Sequence, residues 1–181
     1  MVNITYFVHG TTVDNQHEIS SGWSDAPLSE LGEEQSAALK EQTKDKHFDV
    51  VFCSDLQRAR KSAELAWGDQ YEIISDARLR ECNYGDRNGA PSEEVEPLQE
   101  KEMHFKPFPN GESYEDVKNR IADFLKFLKE NYDDKSVALV GHKAPQLSLD
   151  VLLKGMTWDE ALANDWRKTK SWQPGWEYQI P

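Results

Sequence analysis

At 181 residues and a net charge of −12, the chain suits one domain, expected to span 1–181, large enough for a central sheet covered on both faces. The acidic balance opposes nucleic acid as a partner, because that affinity rests on neutralising phosphates, and no run of about 18 apolar residues is available to span a membrane. Cys53 and Cys82 have no metal-ligand spacing and are too few for a disulfide framework, so a reducing cytoplasm is the expected location.

Strand and helix signals alternate along the chain. Residues 3–9 form an apolar, β-branched and aromatic run that stops at His9-Gly10, and a polar loop, Thr11 to Ala26, follows. Ser29 reads as the N-cap of a helix with Glu30 and Glu33 in its first turn, where Gly32 is a weak point. A second strand, Asp49 to Cys53, leads into Ser54-Asp55, which read as caps for a helix carrying Leu56, Ala59, Ala63 and Ala66. Tyr71 to Ile74 is a third strand, and Glu81 to Asn110, with its prolines and glycines, reads as an irregular excursion over the active face. Ser113 caps a helix with an apolar stripe at Val117, Ile121, Phe124, Leu125 and Leu128. The run Ser136 to Gly141 is a strand that ends at His142, a helix occupies Ala144–Leu153, and Gly175 to Ile180 closes the pattern as a strand. The order predicts an α/β fold, a three-layer α/β/α sandwich with a mostly parallel sheet. In such sheets ligands bind beyond the carboxyl ends of the strands, so His9 and His142 are expected at one crevice.

These residues carry a family resemblance over nearly the whole chain. His9-Gly10-Thr11-Thr12-Val13-Asp14-Asn15, the segment Gly22 to Gln35, Ser54-Asp55-Leu56-Gln57-Arg58-Ala59-Arg60, and Leu79-Arg80-Glu81 with Gly85 and Gly89 resemble successive motifs of the histidine phosphatases. Gly111-Glu112-Ser113 and Gly141-His142 complete the set in the same order. The resemblance, to the superfamily that includes phosphoglycerate mutase-like proteins, implies that His9 is a nucleophile attacking phosphorus and that Arg58 is a bidentate clamp. It further implies His142 as a donor to the phosphoryl oxygens and Glu81 as general acid and then base. Thr12 and Asn15 are expected to add hydrogen bonds at the rim, and Trp23, in the loop after the nucleophile, is expected to touch substrate. The implied reaction is hydrolysis of a small phosphorylated metabolite, needing neither metal nor cofactor. A phosphoglycerate-type mutase is the weaker alternative, since only about thirty residues separate Glu81 from Gly111 and they do not resemble the mutases' inserted segment.

One position departs from the family: Val8 stands where an arginine of the phosphate clamp precedes the nucleophile. Losing one such donor costs roughly 3–4 kcal/mol of transition-state stabilisation. The chain is then a slower or specialised phosphatase, or replaces the charge with Lys143, Arg60, Arg80 or Arg87, or binds a phosphorylated ligand without turnover. Arg78, Arg80 and Arg87 around Glu81 leave an ordinary surface ion pair as the competing reading of that carboxylate. Lys154, Arg167, Lys168 and Lys170 read as a solvated basic face, with contact to an anionic substrate tail as the alternative, and His17, His47 and His104 read as surface residues.

Overall fold

The computed structural model describes residues 1–101 and 104–181. Its elements, in chain order, begin with β1 (Val2–Val8), α1 (Val13–Gln16), β2 (Ile19–Ser20), α2 (Glu30–Gln42) and β3 (Val50–Cys53). They continue with α3 (Gln57–Trp67), β4 (Ile73–Ser75), β5 (Ala90–Pro91), α4 (Ser92–Lys101) and α5 (Tyr114–Asn131). The last are β6 (Ser136–Gly141), α6 (Lys143–Lys154), α7 (Trp158–Ala163), α8 (Trp166–Thr169) and β7 (Trp176–Ile180). The main sheet has the order β4-β3-β6-β1-β7, parallel except for β7, which runs antiparallel to β1 along the edge. Short β2 and β5 pair separately.

Alternation along the strands divides the core in two. Ile4 and Tyr6 of β1, Phe52 of β3 and Val137 and Leu139 of β6 face the α5 and α6 side, with Val117, Ile121, Phe124 and Leu147. Phe7, Val51, Cys53, Ala138 and Val140 face the opposite side, against Ala59, Ala63 and Ala66 of α3. The inner strands β3, β6 and β1 are buried on both faces, which is why they read as continuous apolar runs. Truncating a fully buried ring here, such as Phe124, would cost about 3–5 kcal/mol. Among the described residues no helix is long and apolar enough to cross a membrane.

Two local expectations need correction. Helix α3 is not capped by the Ser54 or Asp55 side chain: its N-cap is Leu56, and Asp25, from the distant loop, accepts from Gln57 N at 2.7 Å. Asp55 instead takes both arms of Arg80 at 2.7 Å each. The 81–110 excursion is more ordered than its prolines suggest, because it contains β5 and the ten-residue α4, which tolerates Pro97 in its interior. Gly32, the weak point of α2 by propensity, is required by a close approach: a Cβ there would lie 1.9 Å from the Thr11 carbonyl oxygen.

Candidate active site

The carboxyl ends of the parallel strands deliver the chemistry. Val8 of β1 is in register with Gly141 of β6, so the next residue on each strand, His9 and His142, emerges on the same edge. Their rings are 5.0 Å apart between centroids and inclined by 60°. The first turn of α3, after β3, brings in Arg58, and the segment after β4 brings in Glu81. His9, Arg58 and Glu81 line a cleft of about 940 Å³, with Val8, Thr12, Asn15 and Lys143 on its walls, while the His142 ring lies beneath it against His9.

The His9 ring is fixed by its Nδ1, 2.7 Å from the Gly10 carbonyl oxygen. A carbonyl only accepts, so Nδ1 carries the hydrogen and the Nε2 lone pair is free. Burial, then the nearby Arg58 charge, pushes the His9 pKa down to about 3, so the imidazole is neutral at physiological pH. Burial and Arg58 also hold His142 well below the ordinary range. Both ring nitrogens of His142 are buried and have no hydrogen-bond partner among the described residues, in a residue only 1% exposed. Buried polar atoms of this kind are costly unless a ligand satisfies them. The His142 backbone, in contrast, is fully held: the Tyr6 hydroxyl accepts from its N–H at 2.7 Å and donates to its carbonyl at 2.8 Å.

Arg58 is buried, donating through Nη1 to the Ser24 carbonyl and through Nη2 to the Gly22 carbonyl. The loop after β1 therefore orients the guanidinium. A set of buried serines ties the His9-Gly10 loop to the same helix. Ser62 accepts from Gly10 N–H at 3.0 Å and from Ser36, and donates to the Arg58 carbonyl. Arg60, two residues on, is the exposed one and pairs with Glu64.

Glu81 is not part of a surface ion pair. Arg78 pairs with Asp76, Arg80 with Asp55 and Arg87 with Glu94. The buried Glu81 carboxylate accepts instead from three backbone N–H groups: Cys82 at 2.8 Å, Lys143 at 3.0 Å and Ala144 at 3.1 Å. A carboxylate offers about four acceptor positions, so one remains for a ligand. The last two donors belong to the start of α6, immediately after His142, and they lock Glu81 to that histidine's own segment.

Trp23 sits elsewhere than the sequence suggests. Its indole N–H donates to the Glu81 carbonyl at 2.7 Å and the Arg80 guanidinium lies 4.6 Å over its ring, so it buttresses the acid from behind and is not part of the cleft lining. Arg120 reinforces the same carbonyl at 2.9 Å. Thr12 and Asn15 do meet at the cleft, but largely bind each other. The Thr12 hydroxyl accepts from Asn15 N–H and the Asn15 side-chain oxygen accepts from Thr12 N–H. The Lys143 ammonium lies against Gln99 at 3.2 Å and Asp165 at 3.8 Å. His104 is buried against Trp158 and Tyr114 instead of lying on the surface, whereas His17 is exposed. Burial pushes the Cys53 thiol up to about 11 and Cys82 higher still, which makes both unreactive. Tyr6 and Ser62 were not legible as supports of the site, because each acts through partners far away in sequence.

The family model of the histidine phosphatase superfamily (branch 1) matches residues 6–172. Fructose-2,6-bisphosphatase TIGAR B of Danio rerio is 37% identical over 135 residues, 69% of this chain and 52% of the relative. The chain thus spans about half the length of that relative. The uncharacterized phosphatase PhoE of Bacillus subtilis is 32% identical over 139 residues, 75% of this chain and 69% of the relative. Among solved structures, mycobacterial glucosyl-3-phosphoglycerate phosphatase in complex with VO3 superimposes with a TM-score of 0.79 at 26% identity, covering 89% of this chain and 86% of the other. The alpha-ribazole phosphatase of Shigella flexneri gives 0.78 at 25% identity, covering 89% and 84%. The strand-end histidines, the sheet order and these relatives agree: the chain belongs to the histidine phosphatase superfamily, branch 1.

Proposed function

We propose that the protein hydrolyses a small phosphorylated metabolite through a phosphohistidine at His9. The observation that carries this reading is the state of the two imidazoles. His9 is neutral with Nδ1 tied to Gly10 and a free Nε2 lone pair, and its ring centroid stands 5.0 Å from that of His142, whose buried nitrogens have no partner among the described residues.

In the first step the His9 Nε2 lone pair forms a bond to phosphorus as the ester P–O bond breaks. Glu81 delivers a proton to the departing oxygen as that bond breaks. Arg58 and a His142 N–H hold the non-bridging oxygens as charge gathers on them, the arrangement that contributes most where water is excluded. In the second step water attacks phosphorus and Glu81 takes its proton. The P–N bond electrons return to Nε2, releasing inorganic phosphate and restoring the enzyme. Splitting one displacement into two is what a nucleophilic imidazole offers.

The cleft volume and the named substrates of the relatives support a small phosphomonoester over a phosphoprotein. The buried free thiols support a reducing compartment, the cytoplasm. The test is aryl phosphate hydrolysis with wild type beside His9→Ala, coupled to trapping of an acid-labile phosphate label. Label and turnover that both vanish in His9→Ala support the reading. Turnover surviving in that variant would overturn it, and ligand binding with neither label nor turnover would make this a phospholigand-binding protein. Phosphate passed between two positions of a sugar acid would make it a mutase.

A further inference from the structure

Val8 leaves the phosphate pocket one guanidinium short, and the four cations suggested by sequence do not fill the gap. Arg60 and Arg87 are exposed and paired with Glu64 and Glu94, and neither lines the cleft. Arg80 is spent on Asp55 and Trp23, also outside the cleft. Lys143 does line it, but its ammonium is a single point charge drawn toward Gln99 and Asp165.

Arg167 of α8 is different on each count. It lines the same cleft as Val8 and His9. Its Nη1 is anchored by the buried Asp165 at 2.9 Å and approaches Gln146 at 3.5 Å, and its guanidinium lies 4.5 Å over the Trp166 ring. Trp166 is itself stacked on Trp176 of β7 and donates to Gln146, so the platform beneath the guanidinium is rigid. These anchors use Nη1 alone, and among the described residues Nε and Nη2 have no partner. That leaves two parallel donors of the fork, the pair a phosphoryl group takes. Val8 faces the α5 and α6 side of the sheet with Tyr6 and lines the cleft wall. Two cations, Lys143 and Arg167, share the one carboxylate of Asp165, so the group keeps a net positive charge.

We propose that Arg167, positioned by Asp165 and Trp166, replaces the guanidinium absent at Val8 and binds the transferring phosphoryl group. The site is thus clamped from the C-terminal part of the chain, not from β1. After burial and Arg58, the Arg167 charge is among the influences depressing both His9 and His142, which places it within electrostatic reach of each. The inference rests on the reading of His9 as nucleophile.

The experiment measures vanadate affinity by calorimetry and aryl phosphate kcat/KM for wild type, Arg167→Gln, Arg167→Lys, Val8→Arg and the double variant Val8→Arg/Arg167→Gln. Vanadate and the aryl ester have no second anionic group, so a cation serving only a substrate tail leaves both readouts unchanged. Arg167→Gln should lose on the order of 10²–10³ in kcat/KM and weaken vanadate in parallel. Arg167→Lys, which keeps the charge and the Asp165 pair but not the fork, should fall between. Val8→Arg should restore at least tenfold in the Arg167→Gln background while adding little to wild type. Changes below threefold in Arg167→Gln, no vanadate binding by wild type, or equal gains from Val8→Arg in both backgrounds would overturn the assignment. Should Arg167→Gln unfold, the Arg167→Lys and Val8→Arg comparisons decide alone. Failure of the nucleophile reading shows separately, as activity that survives His9→Ala.

Discussion

The Tyr6 hydroxyl closes a two-way hydrogen bond on the backbone of His142, accepting from its N–H at 2.7 Å and donating to its carbonyl at 2.8 Å, across 136 positions of sequence. Gly141 permits this, since a Cβ there would meet the Tyr6 oxygen at 2.3 Å. Tyr6→Phe would leave the buried His142 N–H unpaired and its carbonyl with only the Gln146 N–H at 3.2 Å, costing about 1–3 kcal/mol in chemical denaturation. With His142 less firmly placed, kcat should fall more than KM rises. An unchanged kcat would show that Tyr6 serves stability alone.

Glu81→Gln tests the proton-transfer role. The amide cannot shuttle a proton, and its NH2 must face one of the backbone N–H donors that now point at the carboxylate. A loss of about 10²–10⁴ in kcat/KM is expected for alkyl phosphates, the usual contribution of general acid catalysis. The loss should shrink for aryl phosphates with acidic leaving groups, which need no proton. A loss independent of leaving-group pKa would remove Glu81 from the acid role.

Gly32→Ala opposes helix propensity to packing. Propensity alone predicts a gain of up to about 1 kcal/mol in α2. The added Cβ would lie 1.9 Å from the Thr11 carbonyl oxygen, so α2 and the His9-Gly10-Thr11 loop must separate. The expected outcome is a lower thermal midpoint together with reduced activity. A raised midpoint would show that the loop relaxes freely.

Stability should depend on pH through the two strand-end histidines. The folded pKa of His9 lies at about 3 against 6.5 in the unfolded chain, and that of His142 is also depressed. Between these limits the unfolded state binds more protons than the folded one, so stability is full above about 6.5 and declines as pH falls toward 3. Denaturant midpoints measured from pH 7.5 to 4 should fall steeply in wild type and less steeply in His142→Ala. Equal slopes would mean that carboxylates such as Asp55, held low by Arg80, dominate the acid limb.

The sequence by itself determined the alternation of apolar strands and capped helices, the placement of His9 and His142 at strand ends, and the order of motifs around Arg58 and Glu81. Those features are local: period-two and period-3.6 burial and capping chemistry are written within a few residues. It could not show that Glu81 is held by N–H groups 62 and 63 positions away, or that Trp23 lies behind the acid instead of against substrate. It could not single out Arg167 from the neighbouring Lys168 and Lys170 either. A charged side chain has the same local signature whether it is solvated or aimed into a cleft. Only the packing of α8 beside α6 and β7, with buried Asp165 as its anchor, fixes the Arg167 guanidinium on Trp166 at the cleft wall.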